Sequence, residues 1–179
     1  MVKIINNLLP DIYFNRLQTI LDDPSKDFDW YWNATTATDQ NQDSLDNNFM
    51  FTHLLFYQHI NHKSPFFETF LPIIYFLDPH IMTKTLYRMK LNLYPNQGKT
   101  VTHAKHIDIR DEDTFEVVKD CKITVFNFTT CNGGTIIGNK KYSSNANQAL
   151  IFDNELEHQG FTQTDTSHRI ILNIATSIN

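Results

Sequence analysis

The spacing of apolar residues changes near the middle of this chain. After residue 84, short runs rich in Ile, Val, Phe and Thr replace the longer spacing of the first half, and in the first run the alternation has a period of two. These runs predict strands at 86–94, 121–128, 148–152 and 169–176. The sequence Asn132-Gly133-Gly134 predicts a turn between strands.

The alternation also predicts which side chains share a face of a strand. One face of the first strand carries Arg88, Lys90, Asn92 and Tyr94. In the last strand, one face carries Arg169, Ile171 and Asn173, and the other carries Ile170, Leu172 and Ile174. Because both faces of the last strand are largely apolar, we expect it to be buried on both sides.

The first eighty residues have the pattern of helices and loops. Pro10 is suited to the first turn of a helix that ends at 22–25. Its apolar positions at helical spacing are Ile12, Leu17, Ile20 and Leu21. A polar surface loop is expected at 34–48.

A second helix is predicted to follow Ser64 and Pro65, a capping residue and a proline at the first helical position. We expect it to run through Phe70 and Ile74 to about residue 77. Pro72 within it predicts a kink or an early end.

Helices followed by strands favour an α+β domain, with a jelly-roll sandwich or barrel and helices packed on one sheet. At 179 residues the chain is most simply one domain. We expect 1–84 to be mainly helical support and 85–179 to form the jelly-roll core.

Composition indicates a soluble globular protein, with 41% hydrophobic and 20% charged residues. A net charge of −5 argues against an extended nucleic-acid-binding surface. Apolar stretches are far shorter than the ~20 residues of a membrane span, and no signal segment is visible. Cys121 and Cys131 have no zinc-type spacing. We therefore expect a cytoplasmic, reducing location; the oligomeric state stays open.

The candidate metal ligands are His106, Asp108 and His158. In an extended segment, residues two apart point to the same side, so His106 and Asp108 are placed to bind one ion together. His158 lies far along the chain, where only a returning fold brings it close. Two imidazoles and one carboxylate are a ligand set for ferrous iron that leaves positions open for other ligands.

Arg169 lies in the strand predicted to be buried on both sides, and a buried guanidinium needs an anion. One interpretation is a salt bridge with a carboxylate of the protein. The other is a bidentate hydrogen bond to a ligand carboxylate, which the planar guanidinium suits. With the three candidate metal ligands, the second interpretation indicates an Fe(II) oxygenase with a dicarboxylate co-substrate.

From about residue 86 onward, the chain resembles the prolyl-4-hydroxylase-like branch of the 2-oxoglutarate- and Fe(II)-dependent dioxygenases. The resemblance rests on four features, which are His106-Ile107-Asp108, Gly133-Gly134-Thr135, the segment 149–152 leading to His158, and Arg169. It implies a double-stranded β-helix core, Fe(II) and O2, and 2-oxoglutarate chelated to the iron, with the far carboxylate of 2-oxoglutarate held by Arg169. Ascorbate is a candidate reductant.

The resemblance also implies roles for residues beside the co-substrate. Tyr94 resembles a tyrosine that many relatives place there. Asn127 stands where relatives often have a tyrosine that hydrogen-bonds the same ligand. His103 also stands where relatives commonly have a tyrosine, and it is a further candidate near the metal.

The resemblance therefore implies hydroxylation of an unactivated C–H bond, with succinate and CO2 as co-products. A protein or peptide side chain, with prolyl as first choice, is the expected substrate, and a free amino acid, a small metabolite or a nucleotide comes next. Two alternatives stay open. One is a cupin-type metal-dependent isomerase or hydrolase, and the other is a jelly-roll binding module without catalysis.

Overall fold

The computed structural model describes residues 1–23, 25, 27–36 and 48–178, and all elements below belong to these ranges. The helices are α1 (Asp11–Asp22), α2 (Phe67–Phe70) and α3 (Pro72–Ile81). The strands are β1 (Lys3–Asn6), β2 (Tyr31–Asn33), β3 (Met50–Tyr57), β4 (His62–Lys63), β5 (Thr85–Pro95), β6 (Cys121–Asn127), β7 (Cys131–Ile137), β8 (Lys140–Ser144), β9 (Gln148–Asp153), β10 (His158–Phe161) and β11 (His168–Ser177).

The strands form two antiparallel sheets. The larger sheet has the order β1-β9-β6-β11-β5-β3-β2, with β4 paired to β3, and the smaller has the order β10-β7-β8. Two bridges, Thr102 with Phe161 and His106 with His158, bring the segment before β6 alongside β10. This arrangement confirms the predicted jelly-roll core.

Two apolar clusters show how the layers pack. The first joins the helices to the outer face of the larger sheet and includes Phe14, Leu17, Leu21, Phe70, Ile73, Leu77, Met89, Leu91, Leu172 and Ile174. The second includes Met50, Tyr94, Ile123, Val125, Ile137, Leu150, Phe152 and Ile171, from both sheets. The helices therefore cover one face of the larger sheet, as predicted, and the opposite face is turned toward the smaller sheet.

Period-two alternation in the first run, and enrichment in Ile, Val, Phe and Thr in the other three, located four strands of the larger sheet. The predicted segments correspond to β5, β6, β9 and β11, each within one residue of the predicted bounds. Ile171 belongs to the cluster between the sheets, whereas Ile170 and Leu172 belong to the helix-side cluster. The predicted burial of β11 on both faces is confirmed.

The prediction that the first eighty residues are helix and loop is wrong for β1, β2, β3 and β4, of which β3 is the longest. This eight-residue strand pairs with β5 inside the larger sheet. Met50 belongs to the cluster between the sheets and Leu55 to the helix-side cluster, so β3 is apolar on both faces. A register shift between Leu54 and Phe56 also interrupts the alternation. A strand with these two properties has no period-two pattern to detect.

The prediction of a turn at 132–134 is also wrong, because these residues lie inside β7. A Cβ on Gly134 would lie 2.1 Å from the carbonyl oxygen of Tyr142, and one on Gly133 would lie 2.9 Å from the amide nitrogen of Gln163. Glycine is needed here for the close approach of neighbouring strands rather than for a turn.

The helices agree with the predictions in part. In α1 the buried residues are Phe14, Leu17 and Leu21, whereas Ile12 is 84% exposed. Ser64 accepts a hydrogen bond from the amide of Phe66, and the following helix is interrupted before Pro72, as expected. It then continues to Ile81 rather than 77.

Of the predicted surface loop at 34–48, residues 37–47 lie outside the described residues. Cys121 and Cys131 are buried and form no disulfide. In the described part of the chain, each helix is too short or too polar to span a bilayer.

Candidate metal centre and ligand cavity

The pairing of two chain segments brings His106 and His158 together. Each donates its backbone N–H to the carbonyl of the other, at 2.9 and 3.1 Å. Directly paired residues in an antiparallel ladder project to the same face. The two imidazole centroids are accordingly 4.4 Å apart.

Asp108 completes the cluster from the same segment as His106. Its Oδ2 lies 3.1 Å from Nε2 of His158, and the three residues offer ligand atoms that all lie within 4.8 Å of one another. The three predicted metal ligands therefore converge, although they come from distant parts of the chain.

Hydrogen bonds leave the ring nitrogens that face the cluster free for a metal. Nδ1 of His106 lies 3.2 Å from the carbonyl oxygen of Ala104, and Nδ1 of His158 lies 3.3 Å from that of Leu156. When Nδ1 carries the proton and donates to these carbonyls, the Nε2 lone pair is available to a metal. Burial lowers the pKa of His106, which favours the neutral imidazole that a metal requires.

Asp108 is held as a carboxylate by its neighbours. Arg88 Nη2 donates to Oδ1 at 2.5 Å, and Asn173 Nδ2 donates to Oδ2 at 2.9 Å. Burial alone would raise the pKa of Asp108, but Arg88 and then His158 and His106 outweigh it, so this pKa lies well below its usual range. With Oδ1 occupied by Arg88, Oδ2 is the oxygen that faces the two histidines.

Within the described ranges, Arg169 lies in the same cavity without a carboxylate partner. Its side chain is 1% exposed, and it donates to the carbonyl oxygen of Gly134 at 2.9 Å and to Oγ1 of Thr135 at 3.2 Å. Its Nε has no acceptor, and no acidic side chain among the described residues is within salt-bridge distance. The salt-bridge interpretation therefore has no support in the described part of the chain. A buried cation with free N–H groups fits the carboxylate of a ligand.

Tyr94 and His103 line the wall next to Arg169. The guanidinium carbon of Arg169 lies 5.5 Å from the centroid of the Tyr94 ring, and that ring packs against His103 with centroids 5.0 Å apart and planes tilted by 36°. Burial, with further contributions from Arg169 and His106, lowers the pKa of His103 to about 3, so the ring is neutral. Its Nε2 is buried without a partner, which leaves a polar atom available to a ligand.

Asn127 lies elsewhere. Its Oδ1 accepts a hydrogen bond from Ser144 and its Nδ2 donates to the carbonyl of Gln148, so the amide links strands behind the cavity. Val125, two residues earlier on the same face of β6, lines the cavity instead. The geometry gives no support to the role that the resemblance implied for Asn127.

Sequence reasoning assigned no role to Arg88, Lys90 or Asn173, yet Arg88 and Asn173 hold Asp108, and Lys90 and Asn173 line the cavity. The signal was present, because the alternation already placed them on the faces of Tyr94 and Arg169. The cavity has a volume of about 40 Å³, enough for a few water molecules. Binding of a diacid therefore requires side chains of the wall to change rotamer.

No protein-family model matches this sequence, and no curated protein matches it either. Similarity appears when folds are compared. One similar structure is an oxidoreductase of the 2OG-Fe(II) oxygenase family from Burkholderia pseudomallei, with a TM-score of 0.67, 7% identity, and coverage of 98% of this chain and 85% of that one.

A prolyl-4-hydroxylase from Pseudomonas putida gives a TM-score of 0.64 at 10% identity, over 99% of this chain and 92% of that one. A non-heme alpha-ketoglutarate-dependent epimerase from nogalamycin biosynthesis gives 0.62 at 9% identity, over 98% of this chain and 78% of that one. At such identities the likeness is one of fold. The chain therefore has the jelly-roll fold that these oxygenases, hydroxylases and epimerases share.

Proposed function

We propose that this protein is an Fe(II)- and 2-oxoglutarate-dependent dioxygenase, folded as one domain over 1–179 and acting in the reducing cytoplasm. It hydroxylates an unactivated C–H bond and releases succinate and CO2. The observation that carries the proposal is a buried guanidinium, without an anion of its own among the described residues, in the same cavity as two imidazoles and a carboxylate.

The residues fit the cofactor by their chemistry. His106, Asp108 and His158 would hold Fe(II), as two neutral nitrogen donors and one carboxylate oxygen do in non-heme iron oxygenases. When bound, iron supplies the activation of O2 that no side chain provides. Arg88 and Asn173 keep the carboxylate ionised and oriented, as supporting hydrogen bonds do in metal sites.

The rest of the cavity would bind the co-substrate. Arg169 would grip the far carboxylate of 2-oxoglutarate, with Thr135 beside it and Tyr94 packed against the guanidinium. The buried walls would exclude bulk water, which strengthens each charge interaction inside. Neutral His103 would present its unpaired Nε2 to the ligand.

For the substrate, we propose a protein or peptide side chain, with prolyl as first choice. The Pseudomonas putida structure of the same fold is a prolyl-4-hydroxylase, whereas the epimerase has a different activity on that fold. Fold alone does not fix the substrate.

The test is release of succinate by the purified protein with Fe(II), 2-oxoglutarate and ascorbate, measured with a peptide panel and without substrate. His106→Ala, Asp108→Ala and His158→Ala should each abolish release. His80→Ala, which removes an exposed histidine of α3, is the matched control and should leave it unchanged.

Full turnover by Asp108→Ala would contradict the proposal. Metal-dependent activity without any need for 2-oxoglutarate would favour the cupin-type isomerase or hydrolase. Failure to bind metal or 2-oxoglutarate would favour the binding module.

A further inference from the structure

Lys90 occupies the metal end of the cavity. It lies opposite Asn173 in the pairing of β5 with β11, and Asn173 holds the metal-ligand candidate Asp108. Arg169 lies opposite Tyr94, four residues further along β5, which is ~13 Å at the usual strand rise. The cavity therefore has a cation at each end.

Within the part of the chain that the structure describes, Lys90 differs from Arg88 at the same end of the cavity in having no partner. Arg88 is paired with Asp108 at 2.5 Å, whereas the Lys90 ammonium makes no hydrogen bond or salt bridge within the described ranges. Burial, and then the charge of Arg88, lower the pKa of Lys90 to about 8, so the amine is still mostly protonated at pH 7. An ammonium in such a place is costly unless an anion joins it.

Asp108 is not available for this purpose. Its Oδ1 accepts from Arg88, and its Oδ2 accepts from Asn173 while facing the two histidines. Metal binding would engage Oδ2 further. Asp108 is the one acid among the described residues that line the cavity, so we expect the anion that pairs with Lys90 to arrive with a ligand.

We propose that Lys90 binds a carboxylate at the metal end of the cavity, separate from the carboxylate gripped by Arg169. This inference rests on the proposed function, which it extends with a second anion subsite. The carboxylate has two chemical sources. One is the keto-acid end of the co-substrate, and the other is an acidic group of the primary substrate, which would make that substrate an acid rather than a neutral prolyl side chain.

The first arm of the test uses calorimetry on Mn(II)-loaded protein without O2. The titrants are 2-oxoglutarate, which reaches both ends of the cavity, and oxalate, which chelates a metal but is too short to reach Arg169. If the co-substrate supplies the carboxylate, Lys90→Met should weaken both ligands about tenfold or more, the range for a lost charge-assisted hydrogen bond. Lys90→Arg should restore most of the affinity.

The second arm measures the Mn(II)-induced broadening of acetate methyl protons by NMR, with the Mn(II)–2-oxoglutarate complex. If the substrate supplies the carboxylate, Lys90→Met should leave both calorimetric affinities unchanged and remove the acetate broadening. Lys84→Met, at an exposed lysine just before β5, is the matched control. Melting temperatures verify folding, and Lys90→Gln replaces Lys90→Met if the latter does not fold.

Unchanged affinity for 2-oxoglutarate and oxalate together with unchanged acetate broadening would overturn the assignment of Lys90. If the proposed function itself is wrong, the result is different. In that case 2-oxoglutarate does not bind the wild-type protein, and Arg169→Met does not change the calorimetric result. In that case acetate broadening with Mn(II) alone still tests Lys90.

Discussion

Arg169→Met separates a ligand-binding guanidinium from a structural one. The substitution removes hydrogen bonds to the Gly134 carbonyl at 2.9 Å and to Thr135 Oγ1 at 3.2 Å. Hydrogen bonds from a charged donor contribute about 1.5–3 kcal/mol each, so their loss costs about 3–6 kcal/mol. Removing a buried cation that has no anion among the described residues also removes its desolvation cost, which stabilises the variant by several kcal/mol. The terms oppose each other, and the free energy of unfolding of the ligand-free protein should change by about 2 kcal/mol or less.

The stabilisation of the protein by 2-oxoglutarate should change much more than the stability of the ligand-free protein. At 100 times its Kd, 2-oxoglutarate stabilises the wild-type protein by about 2.7 kcal/mol through mass action. Loss of the charge-assisted hydrogen bonds between Arg169 and the ligand carboxylate raises the Kd for 2-oxoglutarate about tenfold or more. The same concentration then stabilises Arg169→Met by about 1.4 kcal/mol or less. Urea denaturation with Mn(II), with and without 2-oxoglutarate, measures both quantities. Arg16→Met, at an exposed arginine of α1, is the control.

One result would refute the reasoning. If Arg169 were paired with a carboxylate of the protein, its removal would leave a buried charge unpaired and destabilise the ligand-free protein by about 3–5 kcal/mol. Such a loss, with an unchanged response to 2-oxoglutarate, would make Arg169 a structural residue.

Two further predictions concern the neighbours of the metal ligands. The pKa of Asp108 is lower in the folded protein than in the unfolded chain, so its stabilising effect is present above pH ~4 and disappears as the pH falls further. In metal-free protein, Arg88→Met should bring the folded pKa of Asp108 closer to that of the unfolded chain, so urea denaturation should show a smaller loss of stability below pH ~4. An equal loss in the variant and the wild type would contradict the role of Arg88. Gly160→Ala places a Cβ 2.6 Å from Nδ1 of His103 and should destabilise the protein by about 1–3 kcal/mol. The loss should shrink in a His103→Ala background, and additive effects would show that the two residues do not collide.

Local pattern was sufficient for the strands of the second half of the chain. In β5 the alternation is regular from residue 87 to residue 94, whereas β11 was recognised as a run rich in Ile, and the period of two assigned the side chains of both strands to the correct faces. The same reasoning failed for β3, where a register shift between Leu54 and Phe56 interrupts the alternation and the run contains no Ile or Val. It failed at Gly133 and Gly134 because local sequence does not distinguish a glycine needed for a turn from one needed for a close strand contact.

For the site, as for the strands, some residues followed from the sequence pattern and others did not. Residue chemistry and spacing in the sequence made His106, Asp108, His158 and Arg169 candidates, because few residue types bind iron or a carboxylate and the first two are two residues apart on one extended segment. For Asn127 the expected role came from resemblance, and its side chain bonds to other strands instead.

The sequence by itself determined the alternating strands, the jelly-roll class and the identity of the candidate ligands, since these depend on periodicity and on side-chain chemistry. Tertiary structure decided which of them meet. It decided the ladder register that opposes His106 to His158, the pairing of Arg88 with Asp108, and the absence of a described acid beside Arg169. Those facts depend on contacts between residues far apart in the chain, and the pattern within a single segment carries no information about them.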